Sequence, residues 1–535
     1  MTLTSIKFFV FVAATVLVYY ICPKKFRWIA LLVASYAFYG IVCLKYMPFI
    51  VFTTLSTYAC GLWIGKIAQK GSDTVKEKKG EWSFSDKKAF KAKVNKKKRL
   101  VLALALVLNF GILAVLKYYN FFSGSITGLL QNLGSSAELP LFKLFLPLGI
   151  SFYTFQAMGY IIDVCRGKTK AEKNPAKFAL FVSFFPQIIQ GPISIYSDLA
   201  KQLYEPHALK YENIKYGFQL ILWGLFKKMV IADRAVVLIN TVLCDKSNYS
   251  GTFILITALT YALQLYADFS GGIDISRGVA QMLGINLAEN FKRPYFSKSI
   301  GEYWRRWHIT LGAWMKNYIF YSLTLSGGFL KLGKWTKKHL GKHIGKVLPG
   351  SIATFVVFLV IGLWHGANWK YIGFGVWNGA IMFVSSLLEP AFRKFTSALK
   401  IRTECLSYRI FQMIRTFIVV LIGYYFDIAD GFKDALVMMK NSVLDFHPGE
   451  LMNLAKIQSL GLEHVDYGVL AVSSLILLFV SLLQERHTTS GLRVAIGSQN
   501  IIFQWIVMLC GIAAIVAFGM YGPGTNASEF VYMQF

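Results

Sequence analysis

Apolar runs of bilayer-spanning length, or close to it, recur from one end of this sequence to the other. They begin around Thr4, Trp28, Tyr46, Leu100, Leu141, Phe178, Tyr216, Phe253, Ser351, Gly373, Ser407, Gly468 and Ile501. Lipid supplies no hydrogen bonds to a bare backbone, so such runs must close their own as helices. The expected fold is an all-α polytopic membrane protein, one domain over residues 1 to 535, with about 11 to 13 membrane-embedded helices and re-entrant segments. A content of 55% hydrophobic and 16% aromatic residues excludes a soluble protein of this size.

The net charge of +30 does not point to nucleic acid, because the basic residues gather at the ends of apolar runs and in a few loops, a distribution that reads as topology. Residues 66 to 99 hold 13 Lys or Arg against four acids, which places that loop in the cytoplasm. The turn at 24 to 27 and the stretch 165 to 173 fall on the same side, leaving the N-terminus outside. The first run has only Lys7 near its start and no small-residue cleavage site, so it reads as a retained span. Seven cysteines are scattered singly, with no C-x-x-C pair, and support neither a disulfide framework nor a zinc site.

The window Ser351 to Leu388 contains one histidine, His365, and Lys370 is its only formally charged side chain. As one helix it would run for about 57 Å, well past the roughly 30 Å of a hydrocarbon core, so it must break or turn, and Gly366-Ala367-Asn368 is the place. The arm from Ser351 to Trp364 carries the chain about 21 Å inward, which sets His365 at depth beside the break. Broken backbone at that depth is tolerated only against protein or a water-filled cavity, and an ionisable side chain there is costly and usually marks function. The other histidines, His207, His308, His339, His343, His447, His464 and His487, lie in or beside polar, basic or loop-like segments. Spacing alone leaves two readings of His365 open: a neutral histidine bonded to a carbonyl, or a general base.

Three further polar islands interrupt the apolar chain. In 261 to 278, Asp268 and Asp274 sit in an otherwise apolar helix, Arg277 follows one turn after Asp274, and Gly271-Gly272 offers a break. Buried carboxylates need partners, so ion pairing that holds a broken helix stands ahead of direct chemistry. In 297 to 320, Trp304, Trp307, His308, Leu311, Trp314, Met315 and Tyr318 follow helical spacing and predict one amphipathic helix at the cytoplasmic interface. That helix is either an anchor with His308 on its polar edge, or a phosphate-attracting approach built from Lys298, Arg305 and Arg306 with His308 at its entrance. In 184 to 194, two prolines, a glycine and two glutamines predict a bent or re-entrant segment. Gln187 and Gln190 then serve the bent backbone, or Gln187 touches substrate; residues 147 to 156 have the same character.

Together, residues 147 to 156, 184 to 192, 266 to 274, 293 to 320 and 362 to 379 resemble the membrane-bound O-acyltransferase (MBOAT) family, in that order along the chain. The resemblance covers roughly residues 1 to 430. It is to the bacterial subgroup of alginate and peptidoglycan O-acetyltransferase membrane subunits and, more distantly, to teichoic-acid D-alanyl transfer proteins. Residues from about 460 form a helical extension, and the tail 521 to 535 resembles the ends of the acetyltransferase members. The resemblance implies helices ringed around a pinched transmembrane tunnel, with an acyl thioester arriving from the cytoplasm and a hydroxyl acceptor from the other side. His365 matches the family's catalytic histidine and His308 its second histidine, near the thioester entrance. By the same likeness Trp304 and Trp307 wall the thiol arm and Arg305 and Arg306 meet the phosphates of CoA. Asn368, the Trp364 indole or backbone N–H groups are all open as donors to the oxyanion, while Asp268, Asp274 and Arg277 hold structure. Acetyl-CoA is the expected donor substrate, with no bound cofactor and no metal. Two departures from the alginate subunit's pattern, a Lys-rich stretch after Tyr321 and the long basic loop at 70 to 99, leave the donor contacts and the partner surface open.

The leading expectation is an acetyltransferase in a bacterial cell membrane serving a cell-envelope or secreted polysaccharide through an extracytoplasmic partner acetyltransferase. D-alanyl transfer from a carrier protein to teichoic acid uses the same histidine. A polysaccharide-precursor transporter, binding through Asp268, Asp274 and Arg277, leaves the two histidine motifs unexplained.

Overall fold

Helix caps follow the sequence closely. Ser83 and Asp86 form a reciprocal capping box that starts the helix Phe84–Asn132, Asn174 caps Pro175–Ser183 with proline in its first turn, and Asn368 caps Trp369–Ala398; each satisfies backbone N–H groups that lipid and helix leave open. These elements belong to a computed structural model that describes residues 2–142, 146–188, 190–486 and 491–521. His487 and residues 522 to 535, almost all of the C-terminal motif, lie outside the described residues. Among those described, eight helical stretches are long and apolar enough to cross a bilayer: Lys24–Glu77, Phe84–Asn132, Gly251–Met282, Gly341–His365, Trp369–Ala398, Leu406–Ile428, His464–Arg486 and Ile501–Phe518. The runs beginning at Trp28 and Tyr46 merge into the first of these. The runs near Leu141 and Phe178 yield shorter helices, and the run near Tyr216 is helical from Tyr211 to Cys244 with the wide turn Phe226–Ala232 in its middle.

The chain groups into two compact units, one of residues up to Gly217 with Val279–Ala288, the other of Phe218–Gly278 with the chain from Glu289 on. In the first unit the expected basic loop at 66 to 99 is mostly helix: Met47–Glu77 and Phe84–Asn132 run into it and leave only residues 78 to 83 as a connection. Lysine is a good helix former, and a basic helix can leave the membrane without unwinding. The expected irregularity at 147 to 156 is confined to its start, since Ile150–Arg166 is a regular helix following the left-handed Gly149. A Cβ on Gly149 would stand 2.3 Å from the Ile188 carbonyl oxygen, so that glycine seats the bent segment at 184 to 194. There the helix Pro175–Ser183 ends and a single turn, Phe185–Ile188, follows, with the Phe185 N–H donating to Ser35 Oγ at 3.2 Å.

In the second unit, helix Gly251–Met282 passes through Gly271-Gly272 without a break. The two glycines offer a break in sequence; in the structure Gly271 is instead a crossing point. A Cβ there would lie 2.8 Å from Gly224 O, and one on Gly224 would lie 2.5 Å from Gly271 O. Close backbone approach, not flexibility, is what glycine provides at this position. Helices His464–Arg486 and Ile501–Phe518, the C-terminal extension, pack on the wide turn Phe226–Ala232 through Leu477 and Ile515 against Phe226, Val230 and Ile231. The extension therefore belongs to the core of this unit.

Candidate active site

His365 is the last residue of Gly341–His365, and three residues later Trp369–Ala398 begins. The break falls where the sequence set it. Gly366 adopts an extended backbone (φ 179°, ψ 166°), and Asn368 Oδ1 accepts the Lys370 N–H at 3.0 Å. The two helices then run back against each other with little between them. A Cβ on Gly362 would stand 2.3 Å from Tyr371 O, one on Gly375 2.6 Å from Phe358 O, and one on Gly366 2.3 Å from the Tyr371 ring. The glycines of this motif are thus spaces for backbone and aromatic approach, and they fix where the imidazole stands.

Rings enclose it. The His365 ring centroid is 5.1 Å from Phe374, 5.3 Å from Trp364 and 6.2 Å from Tyr371, the last nearly parallel. Trp364 also lies 5.9 Å from His308, which has Phe269 at 4.9 Å, edge on. One tryptophan therefore contacts both histidines. Beside His365 is a cavity of about 20 Å³, lined among others by Tyr303, Trp304, Asn378, Tyr424 and Asp427, which is room for a water-sized oxygen.

The helix expected over 297 to 320 is not continuous. It breaks into Ile300–Arg306 and Ile309–Met315, and His308 between them takes a left-handed backbone, φ 43° and ψ 54°. Asn290 holds this turn: its carbonyl accepts Ile309 N–H at 3.0 Å, and its Oδ1 accepts Thr310 N–H at 2.9 Å and Thr310 Oγ1 at 2.7 Å. A left-handed β-carbon residue persists only where its surroundings over-determine it, commonly at functional positions. His308 is 3% exposed and lies outside the eight spanning helices; burial first, and the neighbouring His365 second, hold its pKa well below the usual histidine value. Its imidazole is neutral at physiological pH.

Backbone and imidazole can be separated by substitution. Glycine at 308 removes the ring and the left-handed strain together, alanine the ring alone, so His308→Gly should be more stable than His308→Ala by about 1 kcal/mol. If the ring takes part in the reaction, both variants lose turnover equally. Thermal melts and thiol-release rates read the two effects apart, and an active glycine variant would leave the imidazole no role.

Other candidate residues are distributed less simply. Trp304 and Trp307 line the cavity with His365. Arg305 is exposed. Arg306 is committed, its guanidinium 2.7 Å from Glu302 and bidentate to Glu485 at 3.0 and 3.1 Å. Glu485 also takes Arg293 at 2.6 Å, so the C-terminal extension ties down both flanks of the His308 turn. Asn368 uses its oxygen as a helix cap, which leaves its amide hydrogens as donors. Gln187 lies in the first unit, fully buried, donating to Gln156 Oε1 at 3.3 Å and accepting from Ser194 Oγ at 3.0 Å.

Asp274 pairs with Arg277 at 3.3 Å, as their spacing predicts. It also takes Lys227 at 2.8 Å, and Asp268 takes Lys228 at 2.6 Å, with Asp233 on the same lysine at 2.9 Å. Lys227, Lys228, Asn290, Asp427 and Glu485 were all missed from sequence. For the two lysines and Asp427 a signal existed, since each is an ionisable group inside an apolar run.

The family model described as MBOAT, membrane-bound O-acyltransferase family, matches residues 170–426, a span that includes both histidines. A probable alginate O-acetylase of Pseudomonas putida is 30% identical over 99% of each chain. A peptidoglycan O-acetyltransferase of Helicobacter pylori is 30% identical over 77% of this chain and 73% of its own. A teichoic acid D-alanyltransferase of Bacillus subtilis is 27% identical over 46% of this chain and 61% of its own.

Proposed function

The chain belongs to the membrane-bound O-acyltransferase family, and on that premise we propose a donor and a destination for its acyl group. It is a multi-pass membrane O-acyltransferase. The group is acetyl, taken from acetyl-CoA at the cytoplasmic face of a bacterial cell membrane. The destination is a cell-envelope or secreted polysaccharide, reached through a separate extracytoplasmic acetyltransferase. Relatives whose names specify alginate and peptidoglycan acetylation support this destination.

The observation that carries the reading is the placement of His365. It ends a spanning helix, beside a water-sized cavity and one tryptophan away from a second, neutral histidine. A hydroxyl is a weak nucleophile at neutral pH, so its attack needs a base within hydrogen-bond reach. The His365 imidazole takes the hydroxyl proton as the oxygen bonds to the thioester carbonyl carbon. Collapse of the tetrahedral intermediate breaks the carbon–sulfur bond, and the imidazolium returns its proton to the leaving thiolate. The ester and the free thiol are the products, and the histidine is restored.

A second reading, D-alanyl transfer from a carrier protein, is favoured by the Bacillus subtilis relative. Offering the purified protein radiolabelled acetyl-CoA and, separately, a D-alanyl-loaded carrier protein decides between them. Thiol release from acetyl-CoA alone is the expected result. Consumption of the D-alanyl carrier with acetyl-CoA ignored would transfer the proposal to the second reading.

A further inference from the structure

The Lys-rich stretch after Tyr321 has no part in the acyl-transfer chemistry. It folds as a helical hairpin, in which helix Gly327–His339 reverses at Gly341, where φ is 81°, into the first turns of Gly341–His365. The two arms press together. A Cβ on Gly345 would stand 2.2 Å from Lys337 Cα, and Thr336 Oγ1 donates to Gly345 O at 3.2 Å. The hairpin is therefore packed directly onto the start of the spanning helix that ends at His365.

Its outward surface carries one sign of charge. Lys331, Lys334, Lys337, Lys338, Lys342 and Lys346 are all exposed, and none makes an ion pair among the described residues. No Asp or Glu occurs from Tyr303 to Leu388, so this charge has no local counterpart in the chain. Among the lysines, large apolar side chains stand in the open: Leu330 and Trp335 are each 54% exposed, Leu340 42% and Ile344 38%. Trp335 is held in place, with the His339 ring stacked on it at 4.9 Å and His339 Nδ1 2.8 Å from Trp335 O. By helical spacing Lys331, Lys334 and Lys338 form one stripe, flanked by Leu330 on one side and Trp335 on the other.

That combination is selective. An acidic protein or a free phosphate accounts for the lysines and leaves the four apolar side chains in water. The surface of an anionic bilayer accounts for both, since tryptophan sits at headgroup level and a lysine stem covers apolar surface while its ammonium reaches a phosphate. The level along the chain agrees. Lys346 and Lys342 stand about 8 and 14 Å before Ser351 along the helix, where the apolar run begins, at and just beyond the headgroup layer that flanks a hydrocarbon core.

We propose that the hairpin 327–346 is a membrane-surface site that binds the phosphate groups of anionic phospholipids in the bilayer its adjoining helix crosses. Each lysine near such a surface strengthens association about fivefold at low salt. The stripe thereby seats the hairpin on the bilayer, and with it the entry of the helix that carries His365. The site does not depend on which acyl group the protein transfers.

Hydrogen exchange of the full-length protein tests this, in nanodiscs of phosphatidylcholine alone and of phosphatidylcholine with phosphatidylglycerol. Amides in 327 to 346 should exchange at least about fivefold more slowly in the anionic discs, and about 1 M salt should remove the difference. Lys331→Gln, Lys334→Gln and Lys338→Gln combined should also lose it, while melting like the wild type because all three side chains are exposed. Two further arms keep the phosphatidylcholine discs and add glycerol phosphate or an acyl carrier protein. Equal exchange in the two kinds of disc, or slowing that the triple variant retains, overturns the proposal. Slowing by glycerol phosphate or by the carrier protein that matches or exceeds the slowing by phosphatidylglycerol overturns it too, and gives the surface to a soluble anion or to an acidic protein.

Discussion

Glutamine in place of His365 should lower thiol release from acetyl-CoA by about 10²- to 10⁴-fold, the usual contribution of a positioned general base. Glutamine has a similar reach and can hydrogen-bond, yet has no basic nitrogen, so the substitution removes proton transfer with little change in packing. The fold should tolerate it. His365 is only partly buried and stands at the very end of its helix, while the helix pair is held by the approaches at Gly362, Gly366 and Gly375 and by the Asn368 cap. The melting temperature should therefore stay close to that of the wild type, which separates loss of chemistry from loss of structure. A His365→Gln protein that melts normally and still releases thiol at the wild-type rate would end the assignment of His365 as base. The neighbouring His308 gives a contrast: its substitution acts on both stability and rate, because its backbone is strained and its ring is buried.

What the sequence made legible was set by local rules, and what it concealed was set by distant ones. The break after His365 could be read because the apolar window outruns a bilayer and offers one small, polar triplet at which to turn. The stripe from Trp304 to Tyr318 misled for a physical reason. Helical spacing records which side chains can share a face, and it is blind to a single left-handed residue between two helical turns. That residue is held by Asn290, which is remote in sequence, and no pattern within 297 to 320 reports it. Gly271-Gly272 was misread because glycine serves flexibility and close packing equally well, and only the opposing Gly224 distinguishes them. Asp268 and Asp274 were rightly taken to need cations, but the nearest basic residue in sequence, Arg277, supplies only part of the answer. Their lysines come from an earlier helix, and Glu485, which steadies Arg293 and Arg306 beside the site, comes from the C-terminal extension.

Replacing Lys228 with methionine should destabilise the protein by about 3–5 kcal/mol, the usual cost of removing one partner from a buried ionic cluster. Lys228 is 1% exposed and is the shared cation of Asp233, 3% exposed, and Asp268, 0% exposed. Methionine fills a similar volume and removes the cation these two carboxylates share, in a setting that water does not reach. The location makes repair difficult. Lys228 sits in the π-helical turn Phe226–Ala232, whose wider winding narrows the angle between successive side chains, so that Lys227 and Lys228 can both reach the helix Gly251–Met282. Gly224 and Gly271 cross nearby at backbone distance, which blocks any sliding of the two helices to relieve the charge. Thermal denaturation in detergent should show a large drop in melting temperature for Lys228→Met. Lys228→Met combined with Asp233→Asn and Asp268→Asn should recover much of the loss, because it removes the two carboxylate charges and keeps the shape. Arg305→Ala, at an exposed position without an ion pair among the described residues, should leave the melt unchanged. A Lys228→Met protein as stable as the wild type would mean that the cluster does not hold these helices together, and the two carboxylates would then need another explanation for their burial.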